Sequence, residues 1–364
     1  MNHRNIELTF FEQNKAFKLC NQWNLERYEI RLCEEKEIDS FVDFVRNYWK
    51  VDHIYVNSKK LLKWQYYNSK TGTYNIVIAK EKQTGEIHAV CCFIPMEHFI
   101  GDGSPRVIWG SLWKSRDDVA ADGLGLSVVY YILSTFNPLF WGGIGISKEA
   151  LKIDKALGMN VGSMKHYFIP NRSLATYKLI TIYQNLPVLF YDNNVSLEVC
   201  SQEDFFSLPE EEFVNYIFPV KKKVYFMRRF FNHPYYYYKV LKVVSSARKI
   251  CYLFTRIIDV KDSRVIRVVD MAGDMTAMYG AGPRFQEYLV EQGAEYMDIL
   301  NYGCQESLFE NAGFYLKTGN TVVPEYFEPF VKENVSLECS YVSKLNCATV
   351  FFKADADQDR PNLL

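Results

Sequence analysis

The chain has 364 residues, of which 48% are hydrophobic and 23% charged, and its formal net charge at pH 7 is −1. This length can supply two domains with complete cores, and the composition is that of a folded globular protein rather than a disordered one. A charge balance so close to zero gives no long-range attraction for nucleic acid, so we expect no nucleic-acid partner. Any binding of phosphate must therefore be local.

The nine cysteines are scattered and contain no CxxC pair, which argues against a zinc site and against a disulfide framework. The first residues lack the apolar stretch of a signal peptide, and no run approaches the roughly 18 apolar residues that a membrane helix needs. We therefore expect a cytoplasmic protein with no metal and no membrane insertion.

Apolar periodicity in the first half of the chain predicts helices and strands in a regular order. The turn over 83–86 joins two strands into a hairpin. The predicted elements are a helix over 39–49, hairpin strands over 74–80 and 87–94, a buried strand over 107–113, a helix from 126, a strand over 140–146, a helix from 147 and a strand over 161–169.

A glycine-bearing turn, Asp122-Gly123-Leu124-Gly125-Leu126-Ser127, joins the buried strand to the next helix. The first-turn amides of a helix have no intrahelical partner and its dipole favours anions there, so this order can make a phosphate site. Glycine also allows a ligand to approach the backbone closely. Two glycines alone are weak evidence, and a turn without a ligand is the alternative.

Three segments of the first half recur in the second half at an offset of roughly 155–158 residues. Together they predict two copies of one domain, over 1–190 and 191–364. The pairs are Arg106–Trp109 with Arg264–Arg267, Gly123–Gly125 with Gly280–Gly282, and Leu157–Met159 with Ala312–Phe314.

The second copy repeats the order of elements, preceded by a basic and aromatic run over 221–238. That run could be a nucleic-acid patch, but a solvated basic helix that leads into a tyrosine-rich strand is favoured by the overall charge balance. The predicted elements are strands over 236–244, 250–259 and 265–271, a helix over 285–290, a strand over 296–300, a helix over 306–311, and strands within 321–323 and 348–352.

The predicted order includes an x-x-G-x-G turn at a helix start and a later helix that ends in L-G-M or A-G-F. It resembles the acetyl-CoA-binding half of the GNAT acyltransferase fold. The resemblance implies an α/β fold of two tandem GNAT-like domains, each a mixed central sheet flanked by helices. At the Arg/Gln position of the family motif the chain has Ala120 in the first copy and Ala277 in the second, so both copies depart from it.

Segments outside the glycine turns are similar to bacterial tandem GNAT proteins associated with surface-polysaccharide sugars. The resemblance implies an N-acyltransferase acting on the amine of a dTDP-linked amino sugar, as in anthrose formation. The similar segments are 49–53, 61–66, 324–330 and 353–362.

The resemblance also implies acyl-CoA (coenzyme A) as co-substrate. The first copy is the favoured site because Pro283 removes a backbone donor from the second, although proline is also common at the first helical position. The expected contacts are Gly123, Leu124, Gly125, Leu126 and Ser127 for the pyrophosphate, and Ser111, Leu112 and Trp113 for the pantetheine and acyl group.

A general base must reach the attacking amine, and the candidates are His53, Glu97 and Asp270, with His98 beside Glu97. Each of the three can equally have a role without catalysis. His53 can be a hydrogen-bonded structural histidine, Glu97 can lie at a solvated strand end, and Asp270 can lie at an exposed strand tip. The residues proposed for the acceptor, a nucleotide-linked amino sugar, are Trp64, Asn301, Tyr302, Arg360 and Asn362.

Two other functions remain open from the sequence. A Fem-like transferase would use charged tRNA, but it should carry a strongly basic surface, whereas this chain has 42 basic and 43 acidic residues. A non-catalytic binding protein with degenerate glycine motifs is the other alternative. The sequence also leaves self-association into a homo-oligomer open.

Overall fold

The computed structural model describes residues 6–101, 103, 106–186, 192, 194–213, 218–327 and 329–362. The contacts divide the chain into two compact units. Unit 1 comprises the chain up to Gly162, Glu338–Asn346 and the chain from Ala356; unit 2 comprises Ser163–Leu337 and Cys347–Asp355. The boundary expected at 190/191 lies outside the described residues, and the chain first passes from unit 1 to unit 2 after Gly162.

The strands are β1 (Tyr28–Glu34), β2 (Tyr67–Asn68), β3 (Thr73–Glu81), β4 (Ile87–Pro95), β5 (Val107–Ser115), β6 (Phe140–Ile144), β7 (Asn160–Ser163), β8 (Lys165–Pro170), β9 (Ser196–Cys200), β10 (Lys239–Val244), β11 (Ile250–Val260), β12 (Ser263–Gly273), β13 (Tyr296–Tyr302), β14 (Tyr315–Leu316), β15 (Glu338–Ser343) and β16 (Phe351–Phe352).

The helices are α1 (Ile6–Gln13), α2 (Lys15–Arg27), α3 (Ile38–Tyr48), α4 (Ile54–Asn57), α5 (Lys59–Tyr66), α6 (Met96–Ile100), α7 (Leu124–Phe136), α8 (Lys148–Ala156), α9 (Gln202–Ser207), α10 (Lys223–Phe226), α11 (Gly282–Glu291) and α12 (Glu306–Asn311).

The sheet of unit 1 has the strand order β1–β3–β4–β5–β6–β15–β7. It is mixed, because β5 and β6 run parallel while β3, β4 and β5 pair antiparallel. Helix α7 places Leu124, Val128 and Ile132, each four residues apart, in one core with the sheet. Every residue of β4 is buried, as expected of a strand covered on both faces.

The sheet of unit 2 has the order β14–β8–β13–β12–β11–β10–β9, and β16 also pairs with β13. Only β12 and β13 are parallel among its paired strands with described registers. Its main core contains Phe285 and Leu289 of α11 and Phe309 of α12, packed against β12 and β13. Both units therefore have a mixed sheet flanked by helices.

Each sheet contains a strand from the other half of the sequence. β8 follows the first-half elements but pairs with β13 in unit 2, and Tyr296 lies opposite Pro170. β15 lies late in the chain but pairs with β6 in unit 1, and Cys339 lies opposite Ile144. The two units are therefore not the contiguous halves that the repeat suggested.

Several strands differ from their predicted bounds, two of them for reasons that the pairing and the contacts show. The segment over 161–169 is divided at Met164 into β7 and β8, and β8 belongs to the sheet of unit 2. The strand expected over 236–244 begins only at Lys239, because the backbone N–H groups of Tyr235 and Tyr236 donate to Nδ1 of His233 in a turn.

Candidate functional site

Strand β5 carries a β-bulge where its pairing with β6 ends. Ser111 and Leu112 together stand opposite the single residue Cys92 of β4. The parallel ladder between β5 and β6 ends at the pair Gly110 and Gly143. Beyond this point β5 has a described strand neighbour on one side only, so its backbone groups on the other side are not used in a ladder.

The glycine turn lies directly beside this part of β5. Gly123 has φ +70° and precedes the first residue of α7. The indole Nε1 of Trp113 donates to the carbonyl oxygen of Gly125 at 3.0 Å. A Cβ on Gly125 would lie 3.0 Å from Oγ of Ser115, closer than side chains normally approach. Glycine at this position therefore allows the helix start to contact the strand.

Two of the residues expected at the phosphate have side chains that the fold uses. Leu124 is 1% exposed and packs in the core. The hydroxyl of Ser127 donates to the carbonyl oxygen of Gly123 and accepts from the buried amide of Asn24 at 3.1 Å. The first turn of α7 contains no acidic residue, so nothing there opposes the helix dipole. The backbone N–H groups of Leu124 and Ser127 donate to the carbonyl oxygens of Ala121 and Gly123, so an anion would depend on the other N–H groups of this turn.

A network of buried hydroxyl groups ends at the bulge. The Tyr66 hydroxyl lies 2.8 Å from Oγ of Ser111 and 2.9 Å from the Tyr55 hydroxyl. The side-chain amide of Gln65 donates to both tyrosines, at 2.8 and 3.0 Å. Burial raises the pKa of Tyr66 well above its usual value, so its phenol stays protonated. The sequence did not indicate a role at the site for Tyr55, Gln65 or Tyr66.

The C-terminal segment of unit 1 adjoins this network. The Arg360 guanidinium lies 5.4 Å from the ring centre of Tyr55, and its Nη2 is 3.3 Å from Nε2 of His53. It also donates to Oδ2 of Asp357 at 3.3 Å and to Oδ1 of Asn362 at 3.1 Å. The structure thus brings together three residues that the sequence proposed separately for catalysis and acceptor binding.

His53 is the N-cap of α4, and its Nδ1 accepts from the backbone N–H of Tyr55 at 3.2 Å. Burial, followed by the charges of Arg360 and Lys50, lowers the pKa of His53 to about 3. The imidazole is therefore neutral and weakly basic near neutral pH. Its role as a general base stays a prediction, and this environment does not favour it.

Glu97 lies at the other end of β5 from the bulge. Its carboxylate accepts a backbone hydrogen bond from Val107, the first residue of β5, and burial raises its pKa. Ser111 is the fourth residue after Val107 along the strand, a distance of about 13 Å. A catalytic role for Glu97 stays a prediction, and it would require a reacting group far from the bulge.

The aromatic candidate Trp64 lies on α5 and packs against Phe99, with ring centres 5.2 Å apart. Its carbonyl oxygen is 2.9 Å from Nε2 of His98. Trp64 remains partly exposed. Both side chains therefore contribute to packing around α5 and α6, and contact of Trp64 with an acceptor stays a prediction.

Unit 2 contains a bulge at the corresponding place, but there a further strand lies beside it. Val269 is the extra residue in β12, and the parallel ladder with β13 ends at the pair Val268 and Ile299. After Leu300, the last two residues of β13, Asn301 and Tyr302, pair with β16. A strand of the chain itself therefore fills the position at which the described part of unit 1 has no strand.

The glycine turn of unit 2 is also packed against its own chain. Ala281 and Gly282 are buried, and the backbone N–H of Gly280 donates to the carbonyl oxygen of Asn311 at 2.8 Å. Pro283 stands in the first turn of α11. Because of these contacts and of β16 beside the bulge, a ligand can contact fewer backbone groups here than in unit 1.

A buried ion cluster holds β16 in unit 2. Nζ of Lys221 lies 2.7 Å from Oδ1 of Asp270 and 2.8 Å from Oδ2 of Asp355, which also accepts from the backbone N–H of Phe352. All three charged residues are at most 5% exposed. Burial raises the pKa of Asp270, although the ammonium opposes this shift. Asp270 is thus not an exposed strand tip, and the expectation that Lys221 begins a solvated basic helix is wrong.

Asn301 faces the interior of unit 2, whereas Tyr302 is partly exposed. Asn301 is fully buried, and neither polar atom of its amide has a hydrogen-bond partner within the part of the chain that the structure describes. The Tyr302 ring stacks on Phe351, with ring centres 4.9 Å apart. Contact of either residue with an acceptor stays a prediction.

The described residues contain no group of three or more histidine, cysteine, aspartate or glutamate side chains arranged to hold a metal ion. Among the same residues, we find no helix with the length and apolar character needed to cross a membrane. The cysteines in this part of the chain are all free thiols.

No protein-family model and no curated protein matches this chain. Several solved structures do match it. A protein from Enterococcus faecalis V583, described as of unknown function and as a "Probable N-Acyltransferase", aligns with a TM-score of 0.52 at 10% identity over 86% of this chain and 72% of its own. The GCN5-related N-acetyltransferase from Anabaena variabilis ATCC 29413 aligns with a TM-score of 0.53 at 8% identity over 88% and 73%.

The chain has the GNAT fold. At these identities the similarity concerns the fold alone, and it agrees with the two mixed, helix-flanked sheets described above. The fold class predicted from the sequence is confirmed.

Proposed function

We propose that this chain is an N-acyltransferase that uses acyl-CoA and holds it on unit 1. The observation that carries the proposal is the contrast between the two bulges. After Ser111, β5 has no second strand beside it in the described chain, whereas β16 fills the corresponding position in unit 2. The pantetheine arm contains amides and can pair with a free strand edge as a peptide does.

The turn at the start of α7 is the proposed site for the pyrophosphate. This helix has 13 residues, and its first turn is free of acidic side chains. Backbone N–H groups and the helix dipole can therefore attract phosphate at Gly123–Leu126. Since Ala120 stands where the family has Arg or Gln, binding would depend on the backbone more than in typical GNAT proteins. The names of both neighbours point to the same chemistry.

The proposed reaction forms an amide and releases CoA. A neutral amine attacks the thioester carbonyl carbon, the carbon–sulfur bond breaks, the amine loses a proton, and sulfur gains one. Backbone N–H groups of β5 beside the bulge would polarise the carbonyl oxygen. The Ser111 hydroxyl, bonded to Tyr66, is the group we propose as proton donor to the sulfur.

As acceptor we propose the amine of a nucleotide-linked amino sugar, as the sequence resemblance implies. A chain of net charge −1 needs a local cation for a diphosphate, and Arg360 is the candidate in unit 1. Its guanidinium already bonds with Asp357 and Asn362, so a diphosphate would have to compete with them. Arg360→Ala should raise the acceptor's KM and leave acyl-CoA affinity unchanged.

A thermal-shift screen of acyl-CoAs, dTDP-linked amino sugars and tRNA tests this function, because a ligand that binds only the folded protein raises Tm. We expect acyl-CoA to raise Tm, tRNA to leave it unchanged, and mass spectrometry to detect an N-acylated sugar. If neither acyl-CoA nor tRNA raises Tm, the non-catalytic alternative is favoured. A shift caused by tRNA would favour the Fem-like alternative.

A further inference from the structure

Unit 2 contains a cavity of about 450 Å³ that none of the roles above uses. It lies where β8 and β13 pair, and the segments after β14 and before β15 complete its wall. This volume is within the range of small-molecule sites. Its lining includes Lys165, His166, Leu300, Lys317, Val335 and Leu337.

His166 lines this cavity, and its ring carries a buried hydrogen-bond acceptor. Its Nε2 lies 2.8 Å from Oδ2 of Asp298, and Arg267 donates to both oxygens of the same carboxylate, at 3.1 and 2.7 Å. Arg267 and His166 keep the pKa of Asp298 well below its usual range, against the effect of burial. An ionised carboxylate only accepts, so the imidazole must carry its proton on Nε2.

The other ring nitrogen, Nδ1, is therefore a lone pair. It has no hydrogen-bond partner within the described part of the chain, and His166 is 4% exposed. Burial lowers the pKa of His166, so the ring stays neutral and Nδ1 stays an acceptor. A buried acceptor without a donor costs free energy, and a ligand that supplies the donor would remove that cost.

Lys317 supplies a positive charge to the same cavity. Its Nζ donates one hydrogen bond, to the carbonyl oxygen of Val335 at 3.1 Å, and burial lowers its pKa. The other lysine of the lining, Lys165, is paired with Glu306. The charged groups that act on His166 from the surrounding elements are Asp298, Arg267 and Lys317, and Glu325 is influenced by His166 in turn. An anion beside Lys317 would compensate an ammonium that has lost part of its water.

We propose that this cavity binds a small organic anion that also carries a hydroxyl or amino group. The anionic group pairs with Lys317, and the hydroxyl or amino hydrogen is donated to Nδ1 of His166. All residues of this site belong to unit 2. The inference goes beyond the proposed acyl transfer, because binding here requires no acyl-CoA.

Isothermal titration of the full chain tests the proposal with glucose 6-phosphate, glucuronate and neutral glucose as probes. At least one of the two anions should bind with a Kd below about 10 mM, and glucose should bind at least about tenfold more weakly. The two anions distinguish phosphate from carboxylate recognition. If neither anion binds at that concentration, or if glucose binds as well as they do, the proposal is wrong.

Two variants separate the roles of the residues. Lys317→Met removes the charge, and His166→Gln retains an amide donor for Asp298 while removing the Nδ1 acceptor. Each should weaken binding of the anion by about tenfold or more. The matched control is Lys178→Met, which removes an exposed lysine of unit 2 that pairs with Asp262, and it should bind as the wild type does. Unchanged affinity in both cavity variants would contradict the proposal.

Nitrogen NMR of the histidine rings adds a readout that does not depend on the stability of the variants. In the wild-type protein the proton of His166 should be on Nε2, and the Nδ1 resonance should shift when the anion binds. A proton on Nδ1, or a resonance that does not move, would contradict the proposal. Gly125→Asp should leave this binding intact, so failure of acyl-CoA binding and failure of this site are distinguishable.

Discussion

The hydroxyl oxygen of Tyr66 lies 2.8 Å from Oγ of Ser111, and this contact joins the end of α5 to the bulge of β5. Tyr66 is completely buried, and burial raises its pKa. A phenol held protonated next to a serine hydroxyl can pass a proton to a group bound beside the bulge. The contact therefore links the packing of unit 1 to the proposed chemistry.

Tyr66→Phe should lower kcat for acyl transfer about tenfold to hundredfold while leaving the KM for acyl-CoA unchanged, because the ring stays and only the hydroxyl is lost. Stability should fall by about 1 kcal/mol, since one buried hydrogen-bond partner disappears. Steady-state kinetics and urea denaturation measure the two effects. The matched control is Tyr67→Phe, whose hydroxyl bonds only to exposed Glu35 among the described residues. Equal kcat in the two variants would exclude Tyr66 from the reaction.

Lys221→Met should lower the free energy of unfolding by about 3–5 kcal/mol, because it leaves the carboxylates of Asp270 and Asp355 buried without their ammonium. Its neighbour Lys222 is exposed, so Lys222→Met should change stability by less than about 0.5 kcal/mol. Urea denaturation of both variants measures the difference. Similar stabilities would mean that the cluster does not hold β16 in place.

Asp270→Asn provides a separate test of the role of this carboxylate. The sequence favours a catalytic function, whereas the structure places Asp270 in the ion cluster of unit 2. We therefore expect a loss of stability of about 1–3 kcal/mol with kcat of the folded protein retained. A selective fall in kcat at unchanged stability would restore the catalytic interpretation.

Asp154 should make stability depend on pH. It lies on α8, is 8% exposed and accepts from the Ser340 hydroxyl, and burial raises its pKa from 3.8 to about 6. Since the folded pKa lies above the unfolded one, the neutral carboxyl stabilises the fold fully below about pH 4, and this contribution is lost as the pH rises through about 6.

Asp154→Asn removes this dependence and retains an acceptor for Ser340. The stability of the variant relative to wild type should therefore increase by roughly 2–3 kcal/mol between about pH 4 and about pH 7.5. Urea denaturation at both pH values measures the change. Asp52→Asn, at a carboxyl that is 54% exposed, is the matched control and should show little change. A constant difference for Asp154→Asn would contradict the assigned pKa.

The sequence contains much of the architecture because strands and turns leave local patterns. The extra residues of the two bulges, Ser111 and Val269, stand at the same offset as Arg106 and Arg264, the pair that indicated the repeat. The glycine turn at Gly123 was identifiable for the same reason, since its φ of +70° suits glycine.

The rest depends on contacts between distant residues, which leave no local pattern. The exchange of β8 and β15 between the sheets changes strand partners without changing the apolar period. The sequence predicts that Lys221 belongs to a solvated basic run, because its partners Asp270 and Asp355 are 49 and 134 residues away and leave no local pattern. Likewise, Tyr66 and Ser111 are 45 residues apart, so the sequence does not indicate that their hydroxyl groups are in contact.

The central claim is that acyl-CoA binds at the glycine turn of unit 1, and titration of acetyl-CoA into two glycine variants tests it most directly. Gly125→Asp places a carboxylate at the proposed phosphate site, where affinity should fall at least about tenfold, equivalent to about 1.4 kcal/mol. Gly282→Asp makes the same change in unit 2, and circular dichroism must show that both variants are folded. We expect Gly282→Asp to bind acetyl-CoA as the wild type does. Loss of binding in Gly282→Asp with full binding in Gly125→Asp would contradict the claim.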